Sequence, residues 1–319
     1  MFFYKDLFKS RQRTVEVSGT IFGGFPGVNP VVLIGSLFYH GDKLLVNEDE
    51  GVFLREDARK VVGDALDVAN RYGVGFGLDV IIATPRAAEN ILPFIAEFDL
   101  PLFLDSPDPG ARIKAYSLAA ELGIVDRVVA NGIYVNTGRD EIEAIRSSSI
   151  KNGVILVFDP ANPAKSMMPE DRIVILEEKL LKIARDARLE NLFLDAVVLD
   201  PASIAFSAET ILLFKEKYGY PSGCAPSNAI GVLSKKIVGY EEYVSINTGV
   251  AVYLRLYGAD YIMYGPVKRI KYIAPGIAMI DALLGYTARY SGARLPKKHP
   301  IKTILKKVQK IFAGGYKYF

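Results

Sequence analysis

Eight apolar runs punctuate the chain, at residues 31–37, 75–83, 102–104, 127–130, 154–158, 192–199, 219–225 and 261–264, and none alternates apolar with polar positions. A strand with one wet face alternates, whereas a strand covered on both faces stays apolar, so these runs predict a parallel sheet buried by helices. Helical patterns fill the gaps. Val61, Val62, Ala65, Leu66 and Ala69 recur at spacings of one, three and four, and Ile91, Ile95 and Phe98 at three and four. Ile173, Ile175, Leu176, Leu180 and Ile183 follow the start Pro169, Glu170, Asp171, where acids favour the unpaired amides of a first helical turn. Eight strand–helix units in one undivided chain predict an α/β fold, a (β/α)8 TIM barrel in preference to a doubly wound sheet. Residues 13–25 alternate around Ser18 and Gly19 and predict a β-hairpin closing the barrel's N-terminal end.

The barrel with its hairpin is expected to span residues 1–290, and residues 291–319 read as an extension. In it Ile301, Ile304, Leu305, Val308, Ile311 and Phe312 recur at helical spacing among Lys302, Lys306, Lys307 and Lys310, predicting a basic amphipathic C-terminal helix. Such a helix docks on its own barrel or a dimer mate, or attaches to an anionic membrane surface or an acidic partner. The formal net charge of +3 conceals this division. From residue 282 onward there are nine Lys or Arg and no acid, which leaves 30 basic against 36 acidic residues in the body.

Composition removes several classes. Cys224 is the only cysteine, and His40 and His299 the only histidines, so neither a disulfide scaffold nor a Cys/His zinc site is expected, and no metal. No run approaches the roughly 18 apolar residues of a membrane span, and the charged N-terminus lacks a signal-peptide core, so a cytoplasmic protein is expected, peripheral to a membrane at most through its tail. Gly73, Gly75 and Gly77 precede a strand where a dinucleotide fingerprint follows one. The 18 tyrosines are scattered, with no stacking platform among basic residues, so no nucleic-acid partner is expected. Cys224 has no His partner nearby in sequence and reads as a small buried hydrophobe.

In a (β/α)8 barrel, function sits where the strands end. Those ends carry Gly35, Ser36, Asp79, Asp105, Ser106, Asn131, Asp159, Asp195, Ser227, Asn228 and Gly265. Carboxylates and carboxamides at the tips of apolar strands are costly to bury unless a donor or a ligand meets them. An Asp after a strand also serves simply to cap the next helix, a role open to Asp105 and Asp159. His40, just past the first strand, reads equally as an acid or base facing the mouth and as a solvated loop residue.

Read together, the segments VLIGSLFYHGDK, PLFLDSPDPGARI, DRVVANGIY, LFLDAVVLDP, KYGYPSGCAPSNA and ADYIMYGPV resemble, in order, those of the family formed by the H subunit of tetrahydromethanopterin S-methyltransferase. The resemblance runs from about residue 14 to residue 285 and extends to the wider group of pterin-binding barrels. It implies a methyltransferase, often a homodimer, that binds a methylated tetrahydromethanopterin or tetrahydrofolate derivative. It further implies transfer of the N5-methyl group to the cob(I)amide of a separate corrinoid protein, within a complex that reaches the membrane. Asp105, Asn131 and Asp195 match the residues that hold the pyrimidine side of the pterin, and Asn228 matches the asparagine near N5, the catalytic position. The proton that N5 needs on losing its methyl group is assigned to Asp200 or Asp159. Pro107 stands where the pattern has a small polar residue, and Asp200 is an additional acid. The chain lacks a D-x-H-x-x-G corrinoid motif, so cobalamin would arrive only on a partner. The rival reading is a non-catalytic pterin-binding or assembly subunit. An aldolase-type barrel would want a strand-end lysine, and there is none.

Overall fold

The computed structural model describes residues 3–233 and 237–305. Eight parallel strands close into a barrel in chain order: β1 (Val32–Leu37), β2 (Gly75–Ile81), β3 (Leu102–Asp105), β4 (Val128–Ile133), β5 (Asn152–Leu156), β6 (Asn191–Asp195), β7 (Ser222–Cys224) and β8 (Tyr261–Pro266). Eight principal helices cover it: α1 (Arg55–Tyr72), α2 (Pro85–Ile95), α3 (Pro109–Glu121), α4 (Arg139–Ser148), α5 (Pro169–Ile175), α6 (Ile204–Lys217), α7 (Tyr240–Leu256) and α8 (Ile270–Tyr290). Past its last residue α5 continues through a wide turn at Leu176–Leu180 to Leu181–Asp186. The predicted (β/α)8 architecture is therefore present, and the strand runs are apolar for the anticipated reason, with helices outside and side-chain layers inside.

The hairpin pairs Thr14–Val17 with Thr20–Gly23 in antiparallel register. It plugs the floor. Val15, Val17 and Phe22 join Val32, Ile34, Phe103, Val129, Val154, Phe193 and Tyr261 in one core inside the barrel. Phe22 is fully buried, its ring edge-on to Phe193 at 5.0 Å and tilted against Phe103 at 6.0 Å. Two buried ion pairs fix the surrounding backbone. Arg255 of α7 donates to Asp281 of α8 at 2.7 Å and to the carbonyls of Asn29 and Ala259, while the other Asp281 oxygen accepts from the Val31 amide at 2.7 Å. Lys215 donates to Asp260 at 2.7 Å and to the carbonyl of Gly24 at 2.9 Å. Each charge is met from several sides, which is what makes a buried pair tolerable.

The sequence pattern did not foretell a two-stranded ribbon, Leu45–Asn47 with Val52–Phe53, inserted between β1 and α1. Residues 291–305 dock on their own barrel, one of the outcomes open to the C-terminal segment, and form part of the floor. His299 is buried and its Nε2 lies 2.9 Å from the carbonyl oxygen of Gly27, and Thr303 donates to the carbonyl of Tyr72 at 2.9 Å. Gly73 explains one of the glycines: it sits at φ +73°, and a Cβ there would lie 2.3 Å from the carbonyl oxygen of Lys298. Most of the predicted basic helix, residues 306–319, lies outside the described residues. Among the described residues no helix is long and apolar enough to cross a membrane.

Candidate active site

A cavity of about 610 Å³ opens at the C-terminal ends of the strands. Asp79 of β2 and Asp105 of β3 lie on its inner wall, and Asn228, in a short helix Pro226–Ile230 after β7, on its side. Its outer wall is Tyr39, Tyr240, Tyr243 and Arg269. Arg269 donates to the Tyr243 hydroxyl at 3.0 Å and is held over that ring.

The inner wall is an acid cluster. Asp79 accepts from the Ser36 hydroxyl at 2.9 Å and from the Asn131 amide at 3.2 Å. Asn131 reaches it because β4 bulges beside it. The register with β5 slips between Asn131 and Ile133, and the extra residue, Gly132, takes φ +105°. A bulge re-aims the neighbouring side chain, and glycine adopts that φ without strain. Asp195, at the end of β6, is buried and accepts from the Val197 amide at 2.8 Å. Burial, reinforced by repulsion from Asp105, pushes the Asp79 carboxyl up to about 8. Burial pushes Asp105 up to about 6 against the pull of Arg112, and Asp195 to about 7 against its bond from Val197 and the charge of Arg172. Three carboxyls so placed hold at least one proton at neutral pH and gather acceptors at one end of the barrel.

Each of the two family-matched acids is backed by a buried arginine. Arg112 of α3 donates to the carbonyl of Ser106, next to Asp105, and is paired with Glu141 at 2.8 Å. Arg172 of α5 donates to the carbonyls of Ala196 and Val197, next to Asp195, and to that of Ser166.

Of the sequence candidates, Asp105 and Asn228 line the cavity and Asn131 bonds to it through Asp79, while Asp195 stands beside Asp105 electrostatically. The helix-capping role that competed for Asp105 belongs instead to Asp108, which accepts from the amides of Gly110 and Ala111. The two acids singled out as proton sources are placed elsewhere. Asp159 takes a 2.9 Å bond from Lys179 and another from the Ala161 amide, which hold its carboxyl below the usual range, so it is kept as an anion. Asp200 closes the turn into α6, accepting from the Ser203 amide at 2.7 Å, and neither acid lines the cavity. His40 lies at the rim with its side chain almost fully exposed and its Nδ1 2.8 Å from Glu48. Cys224 is buried, and burial raises its thiol well above the ordinary range, as suits a packing residue. Asp79 lines the cavity too, although the family resemblance does not point to it. The signal for it is a carboxylate inside an otherwise apolar strand, which must meet a donor or a ligand.

Fold and site thus define a (β/α)8 barrel with buried carboxyls gathered at its mouth. The chain belongs to the tetrahydromethanopterin S-methyltransferase MtrH subunit family, whose model matches residues 10–295. It is 27% identical over 307 residues to the H subunit of tetrahydromethanopterin S-methyltransferase from Methanothermobacter marburgensis, covering 93% of this chain and 99% of that protein. It is 28% identical over 303 residues to the corresponding protein of Methanopyrus kandleri, covering 89% and 93%. Among solved structures it resembles a dihydropteroate synthase of Yersinia pestis, with a TM-score of 0.60 and 14% identity over 87% of this chain and 100% of that one, a likeness of fold.

Proposed function

We propose that the mouth binds a methylated tetrahydropterin, a tetrahydromethanopterin derivative or its tetrahydrofolate counterpart, and that the protein transfers the N5-methyl group to the corrinoid of a separate protein. The observation that carries this reading is the cluster of Asp79, Asp105 and Asp195, with Asn131 bonded to Asp79. A buried set of acceptors calls for N–H donors, and the aminopyrimidinone edge of a reduced pterin is a row of them. Asp105 and Asp195 would take two such bonds each, and Asn131 would give and take. The cavity exceeds the size of the bicyclic ring, and the part walled by Tyr39, Tyr240, Tyr243 and Arg269 would admit the donor's substituent and the acceptor.

A methyl group leaves a tertiary amine badly, because the nitrogen would depart as an amide anion, so N5 must be protonated. Asn228, exposed on the cavity wall, would accept a bond from N5–H as positive charge develops. Asp79 is the group that holds a proton at the mouth, and it replaces Asp159 and Asp200 in that role. The corrinoid would supply the cobalt nucleophile from the partner. The test is demethylation of methyl-tetrahydromethanopterin with free cob(I)alamin as acceptor, followed by absorbance. Asn228→Ala should lower kcat by about 10²–10³ with little change in KM. Donor binding without turnover in the wild type would favour the non-catalytic subunit, and failure to bind the donor would overturn the site.

The partner surface proposed for a second copy is the outer face of α7 and α8. Tyr253 and Leu256 of α7 and Met279, Leu283, Tyr286 and Tyr290 of α8 are exposed there. Between Lys271 and Arg289 the only charge on α8 is the buried Asp281. An uncharged stripe meets its own copy across a two-fold axis without like-charge repulsion. The two helices, about 25 and 30 Å long, match the roughly 800 Å² per partner that a standard interface buries. Sedimentation should give a two-chain mass that Leu283→Glu with Tyr286→Glu reduces to one chain. A wild-type monomer at micromolar concentration would count against the homodimer.

A further inference from the structure

Arg172 is the one of the two arginines behind the acids that no carboxylate pairs. Arg112 spends its charge on Glu141, both side chains being buried. Arg172 is fully buried, yet among the described residues it makes no ion pair, and its Nη2 has no hydrogen-bond partner. Its remaining nitrogens all go to backbone carbonyls. Nε donates to Ser166 at 2.8 Å, and Nη1 to Ala196 and, at 3.0 Å, to Val197. Burying a guanidinium against three neutral carbonyls is costly, and a hydrophobic residue would fill the space more cheaply. Something must offset that cost.

The backbone it grips is strained. Val197 sits at φ +29°, a region that a β-branched residue rarely occupies. That conformation turns the Val197 amide back onto Oδ1 of Asp195 and points its carbonyl at Arg172. Ser207 adds a second bond to the same carbonyl at 2.9 Å. The segment therefore has two clamps on one oxygen, and its amide holds the carboxylate.

We propose that Arg172 is a positioning residue for Asp195: it fastens residues 196 and 197 in the strained form whose amide holds the carboxylate, and its unpaired charge favours the ionised form of that group for an N–H-bearing ligand. The second half rests on the pterin reading, and the first does not. The groups bearing on Asp195 come from every side. Asp105 on β3 and Asp79 on β2 oppose its ionisation, Arg172 on α5 favours it, and the neutral Cys224 on β7 and Tyr261 on β8 lie against it. Arg172 is the only cation in that set.

The experiment compares wild type, Arg172→Met and Arg172→Lys, each checked for folding by circular dichroism. The Asp195 carboxyl is titrated by carbon NMR in ligand-free protein labelled at the aspartate carboxyl, and assigned with Asp195→Asn. Losing a neighbouring opposite charge should raise its midpoint from about 7 by about one unit or more, and lysine should restore part of the shift. Methyl-tetrahydromethanopterin affinity, by calorimetry at pH 7, should fall at least about tenfold in Arg172→Met and recover when the pH is raised past the new midpoint. An unmoved midpoint in folded Arg172→Met overturns the proposal. A moved midpoint with no donor binding even in wild type upholds the action of Arg172 on Asp195 and overturns the pterin reading. If Arg172→Met does not fold, Arg172→Lys carries the test, and a midpoint and affinity scattered independently of each other would sink it.

Discussion

Replacing Asp195 or Asp105 by alanine is expected to weaken binding of the methylated tetrahydropterin by about 100-fold or more, because two hydrogen bonds to a charged group, each worth about 1.5–3 kcal/mol, disappear at once. The ligand-free protein should respond in the opposite direction. A carboxyl whose folded pKa is raised binds more protons folded than unfolded, so stability falls as pH rises from the unfolded value toward the folded one. For Asp195 that window runs from its ordinary 3.8 up to about 7, and for Asp79 to about 8. Above the window the native state carries a penalty of the order of a few kcal/mol per fully buried acid, at about 1.4 kcal/mol per pKa unit. Asp195→Asn, which keeps the shape and removes the charge, should therefore melt higher than wild type at pH 8.5 and close to it at pH 4.5. Scanning calorimetry at the two pH values reads this directly. A variant that binds the donor normally, or melts lower at pH 8.5 than at pH 4.5 by the wild-type margin, would show that the acids are not the strained binding groups their burial implies.

The second large effect lies at the other end of the barrel. Phe22→Ala should cost about 3–5 kcal/mol of stability, the range for removing a buried aromatic ring. Phe22 belongs in the upper part of that range because its ring meets both Phe103 and Phe193. The hairpin carrying it is only four residues a side, so it cannot collapse into the vacancy without breaking its register. Urea unfolding with an unchanged slope would confirm a loss of native packing. A cost below about 1 kcal/mol, well short of that range, would mean that the hairpin does not seal the barrel.

The barrel was legible because its strands are covered on both faces, which writes itself into composition locally. Where the strands start was legible too: β2 and β3 begin where the apolar runs begin. The plug was readable from the alternation around Ser18 and Gly19, because one face of that hairpin meets the barrel core and the other does not. What was not legible depends on distance in space. Asp79 and Asn131 are 52 residues apart and meet only because β4 bulges at Gly132. Asp159 and Asp195 look alike in sequence, each coming directly after apolar residues, yet one pairs with Lys179 and the other feels the charge of Asp105. The wide turn in α5 and the role of Arg172 are equally non-local, since the carbonyls that arginine grips lie 24 and 25 residues further along. Periodicity reports which way a side chain faces and says nothing of whom it faces.

The hairpin at the floor also sets the traffic. A barrel stopped at one end has a single door, so any two reactants it serves must share that opening. On the pterin reading the smaller one, seated against the acids, would enter before the partner docks over the rim and leave after it. Turnover in such a vessel would be a queue, in which the partner's departure lets the next molecule through.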